Sequence, residues 1–372
     1  MISPAHNDTG VISMRKMVAG VAAALLAVIL VFPCYAVSAQ KAVVMDGETG
    51  RVIYAKDPDS QSLIASTTKI MTALIICEQC NVLDRLRVPK EAVGIEGSSM
   101  YLKEGEVLTI QELLYGLMLQ SGNDAAVALA IYCGGTVEGF AELMNDKAHQ
   151  LGLDNTHFVN PNGLDAPGHY SSARDLAVLA AYAMKNPIFA MTVSTKSVRV
   201  GLRTMSNHNK LLWQYEGADG VKTGYTKQAG RILVSSAIRD GRRLIAVTIN
   251  APDDWNDHKF MLDNGFDDYT VQRIVCKGET VGTWEVAGGT EGTVELIAAS
   301  DFSYPLTNEE QPILVLSEPG FVYAPVVEGT TAGYAYICIG DAVVGKCEVV
   351  FGRTLEQAPL RKTTLWQKIF RR

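Results

Sequence analysis

Basic charge and histidine are scarce in this chain. Six histidines in 372 residues, none grouped with cysteine at metal-ligand spacing, give no reason to expect a metal or any other cofactor. A formal net charge of −7, with no basic stretch interleaved with aromatics in the body of the chain, excludes nucleic acid as a partner. Low-complexity sequence is missing as well. With 48% hydrophobic and 20% charged residues, the composition is that of a folded protein, long enough for two or three domains.

Cysteine is sparse: Cys34, Cys77, Cys80, Cys133, Cys276, Cys338 and Cys347. Cys77-Glu78-Gln79-Cys80 has redox or half-zinc spacing, but it ends an apolar run and no second ligand pair lies nearby, so small buried thiols are the simpler reading. Cys338 and Cys347 fall on neighbouring strand-like segments and are candidates for a bridge.

Both chain ends look like addresses. Arg15 and Lys16 precede an apolar stretch from Met17 to Phe32, followed by Val37-Ser38-Ala39 and Gln40, small residues suited to signal-peptidase cleavage. Residues 1–39 are therefore expected to be a signal peptide, with export to the outer face of the membrane; a retained anchor is the rival. At the other end, residues 353–372 read as a basic amphipathic tail. Leu365, Trp366, Ile369 and Phe370 would share one helical face rimmed by Lys368, Arg371 and Arg372, which suits an anionic membrane surface.

Between these ends, residues 40–268 begin with a hairpin, Lys41–Asp46 against Arg51–Ala55, and continue through helical runs at Ile70–Ile76, Ile110–Leu119, Ala125–Ile131, Phe140–Leu151 and Ala173–Met184. Strands return at Arg231–Ile238 and Arg243–Asn250. One sheet closed by both ends of the domain, with helices against it, gives an α/β (α+β) architecture. Residues 269–352 alternate in short Gly-broken strands, the pattern of a small all-β domain.

The chemistry lies in three islands. Ser66-Thr67-Thr68-Lys69 opens the first apolar helix, and its i, i+3 spacing puts hydroxyl and amine on one face. A lysine whose pKa is lowered by burial or a nearby cation takes the serine proton, and the backbone N–H of Ser66 is free for an oxyanion. Ser121-Gly122-Asn123 sits at a helix–helix junction, and Lys222-Thr223-Gly224 opens a strand. In this order the islands form the S-x-x-K, S-x-N, K-T-G set.

With Leu119–Ala125, His157–Asp165, Tyr170–Asp175 and Asp219–Thr226, the chain resembles the low-molecular-mass penicillin-binding proteins that are D-alanyl-D-alanine carboxypeptidases, serine peptidases of family S11. The resemblance implies a penicillin-binding/β-lactamase-like transpeptidase domain followed by a β-rich domain and a membrane anchor. It implies Ser66 as acyl-ester nucleophile, Lys69 as base, Ser121 as proton relay and Asn123 as a holder of Lys69 and the substrate amide. Lys222, Thr223, Gly224 and Tyr225 would bind substrate. Peptidoglycan stem peptides are the implied substrates, and β-lactam antibiotics the covalent inhibitors. Some relatives carry an arginine for the substrate carboxylate just before Leu211-Leu212-Trp213; here Asn207-His208-Asn209 stands there, with His208 the substitute. A β-lactamase would want a glutamate between the second and third islands, and Asn155–Asp165 has none. An endopeptidase, a transpeptidase or a non-catalytic wall-binding scaffold are the remaining alternatives; intact Ser66, Lys69 and Lys222 argue against the last.

Overall fold

The computed structural model describes residues 37–317 and 320–359. The proposed signal peptide to residue 36 and the tail from residue 360 lie outside the described residues.

Five antiparallel strands make the central sheet: β1 (Lys41–Asp46), β2 (Val52–Lys56), β3 (Ala218–Thr226), β4 (Gly230–Arg239) and β5 (Arg242–Ile249), in the order β2-β1-β5-β4-β3. The first strand pairs with the last, Lys41 opposite Ile249 and Asp46 opposite Leu244, so the domain is closed by its two ends as the sequence suggests. Strand alternation divides the side chains between two faces. Val43, Met45, Val234 and Val247 enter the helical core, while Val44 and Leu244 turn to the other side. There α8 (Asp254–Asp267) packs, and its buried His258 bridges Ser235 and Thr248 at 2.6 and 2.9 Å.

The helical layer is built around α1 (Lys69–Gln79), in which every residue from Lys69 to Cys77 is buried. A helix apolar all round must be enclosed on all sides. It is surrounded by α2 (Ile110–Leu119), α3 (Asn123–Gly134), α4 (Val137–Gln150), α5 (Ala173–Ala183) and α6 (Pro187–Ser194). The capping box expected of Thr109 and Glu112 starts α2, with both reciprocal bonds formed. A single-turn α7 (Leu211–Gln214) leads into β3.

From Thr270 onward the described chain is all strand and turn. A six-stranded sheet buries Trp284, Val294, Leu296, Val349 and Phe351, with Trp284 and Phe351 packed edge to face, and a two-stranded ribbon packs its Val275 and Phe302 on a second cluster with Ile337 and Cys347. The paired segment reaches beyond residue 352: Leu355 bridges Val326 and Gln357 bridges Gly289. Cys338 and Cys347 do lie on adjacent strands, but Cys338 faces Val343 and Cys347 faces Ala335, and both thiols are free. The bridge considered from sequence is thus out of register. Arg51, at the turn between β1 and β2, joins the two regions. It pairs with Glu310, donates to the carbonyl of Pro305 and stacks 4.8 Å from the ring centre of Tyr269.

Candidate active site

The apolar run of α1 does not begin as an α-helix. Ala65–Thr68 form a 3-10 turn, entered through Ala65 at φ 45°, a left-handed conformation that costs a non-glycine residue energy. This turn lifts Ser66 to a half-buried position and leaves Lys69, the first residue of α1, fully enclosed.

The Lys69 amine has three oxygen neighbours. It donates to Oδ1 of Asn123 at 2.7 Å and to the backbone carbonyl of Asn162, and it lies 3.1 Å from Oγ of Ser66. A neutral amine has two N–H bonds and one lone pair. The two carbonyl oxygens use both N–H bonds, so the lone pair is left for the Ser66 hydroxyl. Burial, and next the charge of Lys222, hold the pKa of Lys69 well below the ordinary amine value; Asp124 pulls weakly the other way. Geometry and electrostatics thus point the same way, toward a lysine that gives up its proton more readily than a free amine and stands against a serine hydroxyl.

The second island positions Asn123. Ser121 is also left-handed, at φ 59°, and Gly122 caps α3. A Cβ on Gly122 would lie 3.2 Å from the carbonyl of Gly116, so a side chain there would push α2 and α3 apart. Asn123 donates through Nδ2 to the carbonyl of Glu96, which turns its Oδ1 toward Lys69. Asp124 accepts from Ser99, Met100 and Leu102, pinning the loop that brings Ser98 to the cleft.

The third island lies on β3, at the edge of the sheet. A Cβ on Gly224 would stand 3.3 Å from the amide nitrogen of Ser66 and 3.2 Å from the carbonyl of Ile64. Glycine lets the strand press against the nucleophile turn. Lys222 is 1% exposed, donates to the carbonyl of Thr223 at 2.8 Å and is lowered by burial to about 7. Thr223 and the exposed Tyr225 face the cleft.

That cleft, about 320 Å³, holds Ser66, Ser98, Ser121 and His208 at its walls. Every site residue expected from sequence is thus in it or directly behind it. His208 stands at the cleft wall with much of its surface open to solvent, and the partial desolvation of its ring by that wall, followed by the charge of Lys222, lowers its pKa.

A family model described as D-alanyl-D-alanine carboxypeptidase matches residues 30–253. The chain belongs to that family. A second model, the C-terminal domain of penicillin-binding protein 5, matches residues 269–357 and accounts for the β region. D-alanyl-D-alanine carboxypeptidase DacF of Bacillus subtilis is 37% identical over 278 residues, 71% of this chain and 72% of that protein. The structure of penicillin binding protein 5 from Haemophilus influenzae superposes with a TM-score of 0.75 at 29% identity, covering 87% of this chain and 98% of that one. Penicillin binding protein 6B from Escherichia coli gives 0.69 at 31% identity, over 85% and 96%.

Three features of this carboxypeptidase-family site went unread in the sequence. The Asn162 carbonyl comes from a loop whose Gly163, at φ 85°, could not carry a Cβ: the added atom would fall 1.9 Å from the Ala65 carbonyl. The Asn-Pro-Asn-Gly turn was visible, its contact with the nucleophile turn was not. Asp124 falls in the Leu119–Ala125 stretch, but nothing in the sequence announces its hold on the Ser99–Leu102 loop. Arg231, opposite Tyr225 on the neighbouring strand, lines the same cleft together with Lys210, Asp254 and Trp255. Its Nη2 donates to both oxygens of the buried Asp254, at 2.7 and 2.9 Å.

Replacing Lys222 tests the charge coupling. Lys222→Ala removes a like charge, so the pKa of Lys69 rises and a higher pH is needed to hold it neutral. The acid limb of the rate of Ser66 acylation by a fluorescent penicillin is expected to move to higher pH. A limb that stays in place, whatever the plateau rate, would separate Lys222 from the basicity of Lys69.

Proposed function

We infer that this chain removes the terminal D-alanine from peptidoglycan stem pentapeptides by way of a Ser66 acyl-enzyme. The observation that carries the reading is the enclosed Lys69 amine, 3.1 Å from Ser66 Oγ and bonded otherwise only to two neutral carbonyl oxygens, with its pKa held well below the ordinary amine value. Lys69 takes the hydroxyl proton as Oγ attacks the carbonyl between the two D-alanines. The oxyanion lies between the N–H groups of Ser66 and Tyr225, on the turn and strand that Gly224 allows to meet. Ser121 passes the proton to the departing amine, Asn123 holds Lys69 and the substrate amide, and water then frees the tetrapeptide. Incubated with purified pentapeptide muropeptides, the protein is expected to yield tetrapeptides and free D-alanine by mass spectrometry, and Ser66→Ala none. Cleavage only of cross-linked dimers, or formation of new dimers, would make it an endopeptidase or a transpeptidase instead.

The departing D-alanine carries a carboxylate, and Arg231 is the better partner for it. Lys222 is enclosed with a pKa near neutrality, and His208 is kept toward its neutral form, whereas a guanidinium stays charged. Thr223 and Arg231 together would grip the carboxylate, with Asp254 and Trp255 (its ring centre 5.8 Å from the guanidinium carbon) orienting the arginine. Arg231→Leu is expected to lower kcat/KM for an acyl-D-Ala-D-Ala peptide by about 10²-fold, the worth of a charge-assisted pair. The same peptide ending in a carboxamide should lose far less. An equal loss on both would make Arg231 a structural residue only.

The substrate lies outside the cytoplasmic membrane, and residues 1–39 supply the export signal in this reading. The C-terminal tail is the membrane contact. Deleting residues 360–372 should abolish flotation with anionic liposomes while leaving peptide hydrolysis intact. Equal flotation of full-length and shortened chains would remove the tail from that role.

A further inference from the structure

Helices α1 and α3 each carry a catalytic island at the N-terminal end. Their C-terminal ends also meet. Cys80 caps α1, and Cys133 lies in the last turn of α3, 53 positions later. Two contacts hold these ends together: Cys133 Sγ donates to Oε1 of Gln79, the residue just before Cys80, at 3.6 Å, and Tyr132 donates to Asp84 at 3.1 Å. Both cysteines are half-buried, pack on the main core and are free thiols here.

We propose that Cys80 and Cys133 are a thiol pair that closes to a disulfide in an oxidising compartment, clamping the far ends of the two helices that carry Ser66–Lys69 and Ser121–Asn123. In the sequence, where small buried thiols are the simpler reading, the C-x-x-C spacing raises a different pairing, Cys77 with Cys80. The fold argues against it. Cys77 is buried inside the helix and shut away from any dissolved oxidant, whereas Cys80 leaves the helix end in an extended conformation and is only half-buried. Cys133 is half-buried in the last turn of its helix, with its Sγ on the Gln79 side chain, so it is reachable by a dissolved oxidant and supplies the attacking thiolate. Cys276, Cys338 and Cys347 belong to the β region, and none is placed against these two.

The oxidant is a disulfide, small-molecule or protein-borne. Cys133 thiolate attacks one of its sulfurs and expels the other as a thiolate, leaving a mixed disulfide on Cys133. Cys80 loses its proton and attacks the Cys133 sulfur, releasing the second thiolate. Two electrons pass to the oxidant, which ends as two thiols, and the two protons lost by the protein balance them. The closed loop is long, so the bridge restricts the unfolded chain strongly.

Full-length protein, reduced and then equilibrated with oxidised glutathione, would be alkylated, digested without reductant and mapped by mass spectrometry. A Cys80–Cys133 linked peptide, two hydrogens lighter than the sum of its parts, is expected. The oxidised protein should melt about 5–10 °C above the reduced one. Cys133→Ser should abolish that difference and Cys77→Ser keep it. Because each variant is compared with its own reduced form, a general loss of stability does not obscure the result. Cys80→Ala serves as the second test should Cys133→Ser fail to fold. Alkylated Cys80 and Cys133 after full oxidation, a Cys77–Cys80 linkage, or a melting difference that survives Cys133→Ser would overturn the proposal.

Discussion

An amine with no exposed surface dictates much of this structure. Burying an ammonium ion uncompensated is far more costly than burying an amine, so Lys69 either finds a carboxylate or gives up its proton. Its direct partners are a side-chain amide, a backbone carbonyl and a hydroxyl, all neutral. The nearest acid in its electrostatics, Asp124, is committed to Ser99, Met100 and Leu102 and acts only as a minor term. The enclosure of one side chain thereby shifts its proton equilibrium toward the neutral amine that the proposed acylation requires.

Keeping that enclosure intact requires four chain segments to approach one another closely, and the backbone bears the cost in several places. Ala65 and Ser121 take left-handed conformations at the two junctions where hydroxyls must face the cleft. Gly163 and Gly224 leave out the Cβ atoms that would strike the nucleophile turn from opposite directions, one from the Asn162 loop and one from β3. Strain of this kind persists only where surrounding packing over-determines it. Here the packing is the buried length of α1 with the helices around it.

What could be read in advance follows from how local each signal is. Ser66 and Lys69 are one turn apart, so their meeting is a property of four residues. The hairpins and the capped helix at Thr109 are equally local, and the sequence shows them at nearly their final bounds. The three islands required more, since their meeting depends on the fold; their order stood in for it through a resemblance. Asn162 contributes a backbone carbonyl, which no residue type announces. Arg231 is a surface arginine until β3 and β4 are paired and Tyr225 is found opposite it. The register of Cys338 and Cys347 failed for the same reason. Neighbouring strands bring residues near, but only the pairing pattern decides which face each other.

The placement of the third island at a sheet edge completes the argument. An edge strand presents unpaired backbone donors and acceptors, and proteins ordinarily cover or blunt such edges. In β3 the exposed edge runs past Lys222, Thr223, Gly224 and Tyr225, directly beside Ser66. Any extended peptide that pairs there is laid across the nucleophile in one direction. Buried Lys222 sets the field from within the sheet, and exposed Arg231 on the next strand lines the cleft with a permanent charge. If Arg231 grips a carboxylate as proposed, this free edge selects a substrate that offers both a backbone to pair and a carboxylate to anchor, which is the end of a peptide chain.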